Sequence, residues 1–178
     1  DLRAKLAGLS SVKSVTLELV PLLTALVLAG KVGATITAEL GSMRVTEQID
    51  ALESLGRAPS SHLLVPRVMA CLIMIPMLVI IADVVGVAAG WIAAKQALPI
   101  SDQDFTYGAR VYWRPFDAYY SIIKAFFFAG AIGLISCYRG FTTQQGAEGV
   151  GRATTGAVVT ISVVILLLDT LLAKLLLN

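Results

Sequence analysis

The chain has 178 residues, of which 57% are hydrophobic and only 15% charged, with a mean hydropathy of +0.81. A soluble domain averages about 45–50% apolar and about 25% charged residues, so too little charge is present to coat a water-facing surface, and lipid must solvate part of the chain. The net charge of +2 offers no footprint for nucleic acid, and two cysteines with one histidine make neither a disulfide framework nor a multi-histidine metal cluster.

The first fourteen residues are mildly polar and lack the basic start, apolar stretch and small-residue cleavage site of a signal peptide. The opening reads as the interior of a longer protein. Crossing a bilayer takes about 20 mostly apolar residues, and four stretches meet that requirement. The first, residues 15–38, is interrupted by Lys31 and flanked by Glu18 and Glu39. The second, 63–94, contains Pro66, Pro76 and one acid, Asp83. The third, 118–138, carries Lys124 near its start, and the fourth, 153–177, is broken by Asp169 and Lys174. Lys124 and Lys174, near helix ends, are expected to snorkel. Unpaired strand edges find no partner in lipid, and the alternating segments of a membrane barrel are absent. The expected fold is therefore all-α, a polytopic integral membrane protein of about four transmembrane helices, forming one domain over 1–178.

Three connections separate these spans. Residues 39–62 are polar and predict a helix; 95–117 predict an irregular loop; 139–152 are glycine-rich. With alternating sides, one face collects seven Lys and Arg residues and the other six, which leaves orientation open. The pairs Gly86/Gly90, Gly30/Gly33 and Gly130/Gly133 suit close helix packing, within one subunit or between two.

The most informative connection is the first. Over 45–56, Thr46 can cap a helix start, Glu47 suits its first turn and Gly56 is placed to end it. On a helix, Val45, Ile49 and Leu52 share an apolar face, while Glu47, Asp50 and Glu53 form an acidic stripe. Such a helix either lies on headgroups with its acids solvated or docks into a basic groove of another protein. Membrane-surface helices are usually basic, because cytoplasmic leaflets are anionic.

Other chemistry finds little support. Gly30-Lys31 lacks the upstream glycine and following Ser or Thr of a phosphate loop, so any ATP must be hydrolysed by another chain. Gly146, Gly149 and Gly151 have the wrong order for a dinucleotide loop and read as a turn feeding the last helix, with Arg152 at the interface. His62 stands alone, without a nucleophile set around it. Asp83 and Asp169 are intramembrane acids, read either as a proton or ion site or as structural groups paired with Lys or backbone. The first choice would make the chain a secondary transporter.

The run Gly30-Lys-Val-Gly-Ala-Thr-Ile-Thr-Ala-Glu39-Leu-Gly-Ser-Met-Arg-Val-Thr46-Glu-Gln-Ile-Asp50-Ala-Leu-Glu53 resembles the signature of the MlaE/YrbE permease family. So do Leu17-Glu-Leu-Val-Pro21 and Gly146-Ala-Glu-Gly-Val-Gly-Arg152-Ala-Thr-Thr155. The resemblance implies a five-helix permease whose first helix, with an interfacial helix before it, would precede Glu18. It implies a homodimer bound to two cytoplasmic ABC ATPase subunits that hold the ATP and Mg, with no cofactor in this chain. Thr46, Glu47, Ile49, Asp50, Leu52 and Glu53 would belong to the coupling helix that meets the ATPase. Residues 39–62 and 139–152 would be cytoplasmic. Outside, the family partners a periplasmic MCE lipid-binding protein. Glu18 and Leu19 would lie on the lipid path near the periplasmic opening, the cargo being phospholipid carried between the bacterial inner and outer membranes. Many members carry a basic residue just before the glutamate, where this chain has Leu17.

Overall fold

A computed structural model describes residues 18–97, 115–144 and 146–176. Helix α1 (Val20–Leu28) runs through a π-helical turn (Ala29–Gly33) into α2 (Ala34–Val45), making one unbroken rod. The short α3 (Gln48–Ser54) follows, and a second π turn (Ser60–Leu64) leads into α4 (Val65–Ala97). Helices α5 (Pro115–Phe141) and α6 (Ala147–Leu176) complete the described chain. Four rods, Val20–Val45, Ser60–Ala93, Phe116–Phe141 and Ala147–Leu175, are long and apolar enough to cross a membrane.

The α5 rod is the hub. It packs on α4, on α6 and on the α1–α2 rod. Its Ala125, Phe128, Ala129 and Ile132 are fully buried, against Ala25, Ala29 and Leu40 of the first rod and Ala157, Ile161 and Ile165 of α6. Cys71 and Ile75 bring α4 into the same core. The outer faces are equally apolar: Ile73, Met77, Ile81 and Val84 of α4, and Val159, Val163 and Leu167 of α6, are all exposed. Two apolar faces on one helix suit a rod packed inward on protein and outward on lipid.

Lipid supplies no hydrophobic drive between helices, so close approach must come from small side chains. A Cβ at Gly140 would sit 2.6 Å from Leu40 Cβ and 3.1 Å from the Thr37 carbonyl oxygen, which fixes the α2–α5 crossing. Thr37 reinforces it: its hydroxyl donates to the Gly33 carbonyl at 2.9 Å and reaches that of Ser136 at 3.2 Å. Gly33 lies against Ile161 and Ser136, and Gly133 against Val68 and Cys71, so these two glycines pack within the subunit. Gly30 and Gly90 border open space instead.

Element boundaries depart from the expectations in two places. The first rod continues through Glu39 to Val45, because its inner face keeps burying Ile36, Thr37, Leu40 and Gly41 after the composition turns polar. The glycine-rich 139–152 stretch is mostly helix, since α5 ends at Phe141 and α6 starts at Ala147. At Gly140, glycine's helix cost of about 1 kcal/mol is outweighed by a contact only glycine permits. Most of the expected 95–117 loop lies outside the described residues.

Candidate functional site

The expected 45–56 helix is shorter than its sequence suggests. Thr46 does not cap it. The Thr46 hydroxyl donates back to the Ser42 carbonyl at 2.9 Å and closes α2 instead. Glu47 then takes a left-handed backbone, φ 59°, and α3 begins only at Gln48. That conformation reverses the chain at once, so α3 turns off the end of the rod rather than extending it. Gly56 ends the helix as expected, with φ 71°. Its N–H donates to Glu53 and the Arg57 N–H donates to Leu52, the paired bonds of a Schellman cap.

The two faces separate as the spacing predicts. Ile49 is 1% exposed, and Val45 and Leu52 are half-buried. Glu47, Asp50 and Glu53 all face outward. Asp50 has a partner the stripe did not suggest: Arg44 Nη1 lies 2.6 Å from its Oδ1 and braces α3 against α2. A groove of about 790 Å³ opens beside this brace, lined by Arg44, Val45, Glu47, Asp50, Thr143 and Gln144. The α2–α3 corner and the α5–α6 connection therefore meet at one end of the bundle. Nearby, Arg67 pairs with Glu39 at 3.2 Å, and Arg57 lies 2.7 Å from His62 Nε2. Arg152 is exposed and pairs with Glu148.

The opposite half of the bundle holds the buried charges. Lys124 does not snorkel. It points into the bundle with its side chain fully enclosed, because carboxylates from two neighbouring rods converge on it. Its Nζ lies 2.8 Å from Glu18 Oε2 and 2.6 Å from Asp169 Oδ1, and 5.1 Å from the centroid of the Tyr120 ring. The Tyr120 hydroxyl donates to Glu18 Oε1 at 3.4 Å. One turn away, the Ser121 hydroxyl donates to Asp83 Oδ2 at 2.6 Å, leaving Oδ1 buried without a hydrogen bond. Glu18 is half-buried and Leu19 next to it is 47% exposed.

Thus the six residues of the first candidate group sit together at one end, while Glu18 lies in the other half. Leu17 cannot supply a cation beside Glu18, but Lys124 does, from 106 positions away. Sequence reasoning missed Tyr120, Lys124 and Arg44 as members of these groups. For Lys124 the available signal was charge pairing: a base within a span needs acids from neighbouring spans, here Glu18 and Asp169, or it faces lipid at high cost.

Comparison with known proteins agrees on one family. The family model described as "Permease MlaE" matches residues 3–175. A "Probable ABC transporter permease protein" of Rickettsia prowazekii (strain Madrid E) is 44% identical over 164 residues, which cover 92% of this chain and 63% of the relative. A protein of the same description from Synechocystis sp. is 43% identical over 147 residues, 83% of this chain and 56% of that protein. The chloroplastic protein TRIGALACTOSYLDIACYLGLYCEROL 1 of Arabidopsis thaliana is 39% identical over 157 residues, 88% of this chain and 45% of its own length. The chain spans less than two thirds of each of these relatives.

Proposed function

The chain belongs to the MlaE permease family and is a multi-pass membrane protein, and on that premise we propose that it is the membrane-spanning subunit of an ATP-driven lipid transporter. In this reading it forms one permease domain, pairs with a second copy, and takes its energy from a separate ABC ATPase. The cargo is phospholipid, exchanged with a periplasmic MCE lipid-binding protein, and the membrane is the bacterial inner membrane. ATP and Mg belong to the ATPase.

The observation that carries the reading is the mechanical character of α3. It is a seven-residue helix between two spans, tied back to the bundle rather than hung on a loop. Ile49 roots it in the bundle, the Arg44–Asp50 pair braces it to α2, and the α2 rod continues without a break to Val20. Force applied to the exposed face is transmitted along a rod, not absorbed by a loop. The face offered for contact carries Glu47, Glu53 and Leu55, the last 76% exposed. Two acids around an apolar anchor suit a basic groove, and in this reading the α3 end is the cytoplasmic one, against the ATPase.

The lipid path in this account begins at Glu18 and Leu19 on the periplasmic side. The Glu18–Lys124–Asp169 cluster holds three rods together in that half. ATPase closure would draw the rods of the two copies together and expel lipid toward the periplasmic partner. The test is co-purification. Replacing Glu47 and Glu53 by Lys should abolish recovery of the ATPase while the permease still inserts and dimerises. An intact complex in that variant contradicts the docking face.

A further inference from the structure

Lys31 is a cation that neither the coupling corner nor the buried cluster uses. It sits within the π turn of the first rod and is exposed. Among the described residues it makes no hydrogen bond or ion pair through its side chain. It stands eleven positions after Val20 and fourteen before Val45, about 17 Å and about 21 Å along the axis. The nearest acid further along the rod, Glu39, is about 12 Å away by the same rise and is already paired with Arg67. The four-carbon stem of lysine is too short to carry the ammonium to either end of the rod. A charge facing hydrocarbon at that depth costs about 2.5–3.5 kcal/mol, so the ammonium calls for a polar or anionic neighbour.

The surroundings narrow what that is. The opposite side of the rod, through Ala25, Ala29 and Gly33, is buried in the bundle. The Lys31 side continues a stripe of exposed residues, Leu19, Leu23 and Val27, that leads up to Glu18. Gly30, beside the lysine, has open space where a side chain would project. A π turn inserts an extra residue into the helical register and is frequent at functional sites. The result is an apolar strip ending at mid-depth in an accessible ammonium with no ion-pair partner among the described residues.

Resting on the permease reading, we infer that Lys31 binds the phosphate of a glycerophospholipid as it passes along this face. The phosphodiester is anionic whatever its headgroup, and an ammonium offers three donors that need no fixed orientation. The strip of Leu19, Leu23 and Val27 would lie against the acyl chains.

The experiment uses the permease with its ATPase, loaded from vesicles of phosphatidylglycerol or of neutral carrier lipid doped with diacylglycerol, followed by assay of retained lipid. Wild type should retain phosphatidylglycerol, Lys31→Met on the order of tenfold less, and Lys31→Arg close to wild type. Diacylglycerol retention should be the same in all three, and excess inorganic phosphate should not displace the phosphatidylglycerol. Lys31→Met removes a charge from the membrane interior, so insertion is not at risk. Equal phosphatidylglycerol retention in wild type and Lys31→Met overturns the assignment, as does displacement by inorganic phosphate, which would mark a free-phosphate site. Wild type that retains no lipid at all contradicts the permease reading itself.

Discussion

Lys124 shows how burial and pairing decide a residue's part. Its ammonium is enclosed between Glu18 and Asp169, on two different rods. Removing one member of a buried ion pair leaves an uncompensated charge, so Lys124→Met should destabilise the fold by about 3–5 kcal/mol. Thermal unfolding in detergent reads this. Glu18→Gln should cost less, because Glu18 is 39% exposed and water screens it. A second contrast separates glycines that sequence alone cannot tell apart. Gly140→Ala should cost about 1–3 kcal/mol from its clash with Leu40, whereas Gly151→Ala, with open space around it, should be neutral or stabilise by about 0.5–1 kcal/mol. Equal effects at the two positions would show that the α2–α5 crossing is not as tight as described. The sequence expected Lys124 near a helix end and snorkelling outward, but the helix begins at Pro115, so Lys124 lies well inside it and points into the bundle. Distance along a helix says nothing about which side faces the bundle, and the partners that turn it inward are 106 and 45 positions away.

At the scale of elements, the periodicity of 45–56 foretold which side chains face in and which face out. It did not foretell where the helix begins. Thr46 has the right chemistry for an N-cap, but the preceding rod claims its hydroxyl, and the reversal is made by the left-handed Glu47. That backbone costs a non-glycine residue about 1–2 kcal/mol, so Glu47→Gly should leave the corner at least as stable while removing one acid from the exposed face. Ile49→Ala should cost about 2–4 kcal/mol of local stability, read as lost amide-exchange protection in α3 with protection in α5 unchanged. If α3 protection survives that change, the helix is not rooted through Ile49. Four spans were legible because apolar length is a strong signal. The helical glycine-rich stretch was not, because local composition argued for a turn and only the contacts of Gly140 with α2 and the helix starting at Ala147 reveal otherwise.

At the scale of the molecule, the two ends have different jobs in the proposed account: a braced short helix at one end and a charged cluster beside an apolar strip in the other half. The α1–α2 rod joins them. The competing account, transport driven by protons or ions, would assign the work to Asp83 and Asp169. Asp169 is held by Lys124 and Asp83 by Ser121, which makes both integral to packing, yet the free Oδ1 of Asp83 gives that account a definite residue to test. The most direct measurement is phospholipid movement by the permease reconstituted with its ATPase in sealed vesicles. The permease reading predicts movement that requires ATP and the ATPase, persists without a pH gradient, and survives Asp83→Asn. Movement that follows a pH gradient without ATP and disappears in Asp83→Asn would contradict it.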